Sequence, residues 1–134
     1  VDNLPESGMA TPLIIAGSRD LYRPDLVSLA VQDWLLEHRP VSEVISGGAK
    51  GTDATGEAWA AAGGYPVRRF PADWHRYGRT AGLRRNRQMA EYAAQHGGGC
   101  LVIHHGSLDM IRTAQALWLP VLEWNLQGLE PGEF

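Results

Sequence analysis

Uninterrupted apolar runs alternate along the chain with stretches whose apolar residues recur every three or four positions. Residues 12–17 (PLIIAG) are apolar throughout and end in glycine, the pattern of a strand covered on both faces. From Pro24, Leu26, Val27, Ala30, Val31, Trp34 and Leu35 recur at helical spacing, and the pattern stops before Pro40, which cannot continue a helix. A second strand, 43–46, runs into SGGAKGTD at 46–53. The next helix covers 52–62, with Ala54, Ala58, Ala61 and Ala62 on a face small enough to lie close to a sheet, and Gly63-Gly64 ends it. A third strand, 66–70, leads into the loop PADWHRYGRTAG, followed by a helix over 83–96. Three glycines, 97–99, precede a strand at 100–104, and a helix over 108–118 precedes a last strand at 120–124.

Strict alternation of strands and helices, with continuously apolar strands, predicts an α/β fold built on a five-stranded parallel sheet. Right-handed crossovers make it doubly wound, in the order 3-2-1-4-5, with helices on both faces. Ligands of such sheets bind beyond the carboxyl ends of the strands where the winding reverses, here between strands one and four. Three glycine-containing turns converge on that edge: Gly17-Ser18-Arg19, residues 47–51, and Gly106-Ser107. The predicted organisation is a leader over 1–10, one domain over 11–125 and a tail over 126–134, with no internal repeat.

Composition adds bounds. A chain of 134 residues with 44% hydrophobic and 20% charged residues suits one globular domain with its own core. The single cysteine, Cys100, excludes an internal disulfide and is compatible with a reducing compartment, so a cytoplasmic location is expected. No run approaches the roughly 18 apolar residues of a membrane span, so no membrane partner is expected. The net charge is −3, yet residues 68–87 hold seven arginines and one acid. A basic segment in an otherwise acidic protein suggests an anionic partner at one face, although a solvated arginine-rich loop would look the same.

SGGAKGTD is the densest motif. The P-loop places lysine after its last glycine, whereas Lys50 precedes Gly51. The dinucleotide fingerprint GxGxxG needs glycine where Ser46 stands, although Gly48 and Gly51 fit the rest. What remains is general: glycines let backbone N–H groups approach an anion, and the following helix presents its positive end. Asp53 has two readings, a cap for that helix or an acceptor for ribose hydroxyls. Further on, Asn86 shares a helical face with Leu83, Met89, Ala90 and Ala93, so its amide must find partners in the backbone or in a ligand. Arg84 is paired with Asn86 in the ligand reading, while Arg85 and Arg87 are expected to face solvent.

Together these segments resemble the SLOG superfamily of Rossmann-like nucleotide-binding domains, and within it the small bacterial and phage YspA-type branch. The matching pieces are IAGSRD (15–20), VISGGAKGTDATGEAWA (44–60), FPADWHRYGRTAGLRRNRQM (70–89) and HGSLDMIRTA (105–114). The resemblance implies a pocket for a nucleotide or nucleotide-derived ligand, lined by Gly17, Ser18, Arg19, Gly47, Gly48, Gly51, Thr52, Asp53, Arg84, Asn86, Gly106 and Ser107. It implies a sensor or carrier, or alternatively a phosphoribohydrolase of the lonely-guy type that cleaves the base from a nucleoside monophosphate. The lonely-guy motif PGGxGTxxE is replaced by Ile103-His104-His105-Gly106-Ser107-Leu108-Asp109. A carboxylate to stabilise an oxocarbenium-like state would then be Asp109 or Asp53, with Asp73 an equal candidate from the sequence. A third reading, related to the DprA group, is single-stranded nucleic-acid binding through the 68–87 arginines and Trp74, which the acidic remainder of the chain disfavours. Relatives often dimerise, and a homodimer is compatible with the sequence.

Other features point to packing. His104 and His105 are adjacent on a strand, so their side chains diverge, and His38, His75 and His96 add no ligand spacing, so neither a metal site nor a cofactor is expected. Trp34, Trp59, Trp118 and Trp124 fit core or interface packing, while Trp74 in the arginine-rich loop is placed to cover a base. Cys100 reads as a small buried hydrophobe.

Overall fold

A computed structural model of the chain describes residues 9–106 and 109–134. Its elements are β1 (Thr11–Gly17), α1 (Pro24–Leu35), β2 (Val41–Ser46), α2 (Thr52–Gly63), β3 (Val67–Arg69), the short α3 (Trp74–Tyr77), α4 (Ala81–Gln95), β4 (Gly99–His104), α5 (Asp109–Ala116) and β5 (Val121–Asn125). The five strands form one parallel sheet in the order β3-β2-β1-β4-β5, as the alternation of elements requires. β1 pairs with both β2 and β4, so the winding reverses at its carboxyl end.

The pleat sends successive residues of the central strands to opposite faces, and each face has its own core. Leu13, Ile15, Val44, Leu101 and Ile103 meet Leu26, Val27, Ala30, Val31 and Trp34 of α1 and Ala60 of α2. Ile14, Ala16, Ile45, Cys100 and Val102 meet Met89, Ala90 and Ala93 of α4 and Met110, Ile111 and Ala114 of α5. Burying each of the large aliphatic side chains contributes about 1.5–3 kcal/mol, which is why the continuous apolar runs become the centre of the sheet. β3 is different: all three residues are exposed, and its Arg68 and Arg69 lie on a sheet edge, where charge discourages pairing with another chain.

Two packing expectations are corrected. Ala54, Ala58, Ala61 and Ala62 do not form the buried face, and α2 instead packs through Thr52, Asp53, Thr55, Gly56 and Ala60. The intimate contact is at Gly56, where a Cβ would lie 2.8 Å from Ile15 Cγ2. In α4 the buried face is Ala81, Arg85, Met89, Ala90 and Ala93, whereas Leu83 is exposed. Among the tryptophans, Trp34 is core and Trp59 and Trp124 pack partly buried against it. Trp118 is outside the core, which removes the core half of its core-or-interface reading: it is exposed and carries a positive φ of 62°.

The residues after β5 fold back onto the domain. Leu126 is buried in the core around α1, and its N–H donates to the His104 carbonyl at 2.7 Å. Arg23 donates through Nη1 to the main-chain oxygen of Phe134, 2.5 Å away.

Candidate functional site

The carboxyl ends of β1, β2 and β4 meet the first turns of α2, α4 and α5 in a cleft of about 290 Å³. Its wall includes Gly17, Arg19, Asp53, Trp74, Arg79, Arg85, Asn86 and Asp109. A cleft at this position follows from topology, because the chain leaves β1 toward one layer of helices and leaves β4 toward the other.

Several residues expected to touch ligand are used to close the fold. Gly17 lets β1 and β4 approach: a Cβ there would meet the Ile103 carbonyl oxygen at 1.8 Å. Ser18 is buried, its hydroxyl accepts the His105 N–H at 3.0 Å, and its carbonyl accepts both the N–H of Thr52 at 3.0 Å and the Thr52 hydroxyl at 3.1 Å. Gly51 has a positive φ of 75°, and a Cβ on it would lie 2.2 Å from the same Ser18 carbonyl. Ser18, Gly51 and Thr52 therefore stitch β1 to the start of α2.

The glycine turn itself is braced from inside. The Gly48 N–H donates to Ser46 Oγ at 3.0 Å, and that hydroxyl donates to Glu57 Oε2 at 2.6 Å. The Ala49 N–H donates to Asp53 Oδ2 at 3.4 Å, with the Gly47 amide also facing that carboxylate. Asp53 thus gathers the turn's amides, while still lining the cleft. Burial pushes its carboxyl above the ordinary carboxylate range, with the amides and the nearby Arg85 charge opposing that rise.

The guanidinium at the centre of the site is Arg85, not Arg84. Arg85 is buried, donates to the Gly47 carbonyl at 2.5 Å and holds Asn86 Oδ1 at 3.0 Å. Asn86 Nδ2 in turn donates to Asp109 Oδ2 at 2.7 Å. One chain of contacts thereby joins the β2 turn, α4 and α5. Burial lowers the pKa of Arg85, and Arg19 adds to that while Asp53 and Asp109 oppose it; a guanidinium nevertheless stays charged. Arg84 projects away from the cleft, its Nε on Thr80 Oγ1 at 3.1 Å and its guanidinium 4.3 Å from the Tyr77 ring centroid. Arg87 is exposed and paired with Glu91. A charged residue on a buried helix face is assigned to solvent by default; the Gly47 carbonyl and the Asp53 and Asp109 charges, all distant in sequence, make position 85 tolerable.

Beyond β4, His104 is fully buried. Its Nδ1 accepts the Gly106 N–H at 2.9 Å, which leaves Nε2 to donate to Glu123 Oε2 at 2.6 Å. His105 points the other way and bonds Asp20 at 2.7 Å. Gly106 lies with Ser18, Arg19, Asp20 and His105 in a shallow depression that shares Arg19 alone with the cleft, and Ser107 lies outside the described residues. The structure thus brings Gly17, Arg19, Asp53, Asn86 and Asp109 into one cleft. Gly47 and Gly48 line an adjoining groove. Arg79 and Arg85 were absent from the sequence-derived set. Only the basic run of 68–87 hinted at them. Among the described residues, no group of three or more His, Cys, Asp or Glu side chains could hold a metal ion, and no helix is long and apolar enough to cross a membrane.

A doubly wound parallel sheet with glycine turns around its switch point defines a Rossmann-like α/β domain. Residues 11–77 match the family model described as YAcAr: YspA, cpYpsA-related SLOG family, and the chain belongs to that family. Comparison with curated proteins and with solved structures gave no match. Family membership points to a nucleotide-related ligand in general. The matched stretch carries the SGGAKGTD turn and ends before α4; Asn86 and Asp109, expected from the sequence, and Arg85, added by the tertiary structure, lie beyond it.

Proposed function

We propose that the cleft binds a nucleotide or nucleotide-derived phosphate ligand and that the domain acts as a sensor or carrier for it. The observation that carries this reading is the state of the arginines. Arg23, Arg68, Arg69 and Arg87 each hold a carboxylate. Arg19 and Arg79 hold none among the described residues, as is also true of Arg39, Arg76, Arg84 and Arg112, but only Arg19 and Arg79 of these line the cleft, beside Arg85. Uncompensated guanidiniums around a recess favour an anion, and a guanidinium matches phosphate geometry with paired donors. In this reading Asn86 reads a polar group of the ligand, Asp53 and Asp109 accept from ribose hydroxyls, and the exposed indole of Trp74 covers the base.

The test is a thermal-shift panel of nucleoside mono-, di- and triphosphates. At least one is expected to raise Tm. Arg19→Ala and Arg79→Ala, at unpaired positions, are expected to leave the ligand-free Tm nearly unchanged and to weaken binding about tenfold each. A double variant that keeps the full ligand-induced shift would sink the reading.

A second reading rests on two carboxylates lining the same cleft, one of them with a raised pKa. In it Asp53 or Asp109 supports N-glycosidic cleavage of a nucleoside monophosphate. Release of free base, lost in Asp109→Asn, would select it over the sensor. Absence of turnover with any of the panel, alongside binding, would remove it.

A further inference from the structure

The cleft opens sideways into a groove of about 610 Å³ along the β2–β3 flank. The two spaces share Arg19, Ala49, Trp74 and Arg85 and so form one continuous surface. Their charge differs. The cleft contains Asp53 and Asp109 beside its guanidiniums. The groove is lined by four cations, Arg19, Lys50, Arg69 and Arg85, and by no carboxylate among the described residues. Arg69 is turned toward Glu57, which receives both its Nε and its Nη2. Lys50 is exposed and has no hydrogen-bond or ion-pair partner among the described residues. The floor is the main chain of the glycine turn. At Gly48 a Cβ would meet Arg69 Cδ at 3.1 Å, so the missing side chain lets the arginine stem lie flat along the turn.

Glu57 compensates Arg69, and Asp53 and Asp109 act on Arg85, but Arg19 and Lys50 hold no carboxylate among the described residues. Unpaired like charges along one groove repel one another, and an anion relieves that repulsion. We propose that this groove takes a second phosphate group, so that the ligand of the cleft is a nucleotide carrying two or more phosphates. This rests on the cleft binding a nucleotide. The first phosphate lies against Arg19 and Arg85, which the two spaces share, and the next passes over the turn to Lys50. Lys50 supplies a mobile point charge suited to a terminal phosphate. Its place before Gly51, wrong for a P-loop, puts it among the exposed residues that line this groove.

Calorimetry with AMP, ADP and ATP, and with the corresponding guanine nucleotides, separates the outcomes. The same titrations with inorganic phosphate and pyrophosphate isolate the anion. For at least one base the diphosphate is expected to bind at least about tenfold more tightly than the monophosphate. Lys50→Gln should reduce that ratio to below about twofold while leaving monophosphate affinity unchanged. Equal affinity for mono- and diphosphates would overturn the second-phosphate site and leave the nucleotide reading standing. Binding of pyrophosphate over phosphate without any nucleotide would keep the groove and remove the nucleotide. No binding by any of these probes would overturn both. Tighter binding of a single-stranded oligonucleotide than of any mononucleotide would also overturn the proposal, since the groove would then follow a polymer backbone.

Discussion

At Gly17 a methyl group would fall 1.8 Å from the Ile103 carbonyl oxygen and 2.8 Å from Thr52 Oγ1. Its φ lies outside the left-handed region, so glycine is required there by proximity and not by backbone conformation. Gly64 is the opposite case: φ is 80°, yet a Cβ would meet nothing within 4 Å. Gly17→Ala is therefore expected to cost at least about 3 kcal/mol, and Gly64→Ala only about 1 kcal/mol. Urea unfolding of the two variants checks this, and equal costs would contradict it. A sequence shows that both are glycines near the ends of elements, but not which contact each one permits. The same holds for Arg84 and Arg85. Neighbouring arginines are chemically identical in sequence, and the roughly 100° step of a helix sends one to the Gly47 carbonyl and the other to Tyr77.

Elements are joined across the site edge by the pair His105–Asp20, which ties the end of β4 to the turn after β1. The hydrogen bond to Asp20 raises the His105 pKa, and its counterpart lowers that of Asp20. The two shifts set a window. The pair is complete while Asp20 is ionised and His105 protonated; it is lost as pH falls through the depressed Asp20 value and as pH rises through the elevated His105 value. An NMR titration should show His105 titrating above its ordinary value, and Asp20→Asn should return it to about 6.5. An unchanged His105 midpoint in that variant would rule out the pair in solution. Element types and order were legible because strands buried on both faces read as apolar runs and the helices that cover them keep a periodic face. The face of α2 was not legible. Its alanines satisfy helical periodicity, but contact with Ile15 is so close that Gly56 and polar Thr52, Asp53 and Thr55 occupy the buried side.

For the whole molecule, Cys100 is an internal reporter. It lies in central β4, fully buried between Ile14 of β1 and Val121 of β5 in the sheet register. Burial, with the nearby Asp53 charge adding, pushes its thiol pKa up to about 12. In the folded state the thiolate that reacts with disulfide reagents is suppressed and sterically shielded. Labelling with a disulfide reagent at about pH 8, near the ordinary thiol pKa, should therefore follow global unfolding, with the same denaturant midpoint as circular dichroism. Labelling well below that midpoint would reveal local opening of the β4–α4 layer.

The sequence by itself determined the parallel sheet, its strand order, the two helical layers and the sheet edge at which the cleft lies. Each of these follows from local periodicity combined with the fixed hand of crossovers, and none needs side-chain detail. Tertiary structure decided which of the candidate groups face the cleft and added Arg79 and Arg85 to them. It turned Ser18, Gly51 and Thr52 inward as stitches, drew Asp53 beneath the glycine turn, and placed Arg85 and Asn86 in a chain that ends on Asp109. The physical reason is that the buried positions are settled by hydrogen-bond partners far away in sequence. Gly47 and Arg85 are 38 residues apart, and no local pattern encodes such a pair.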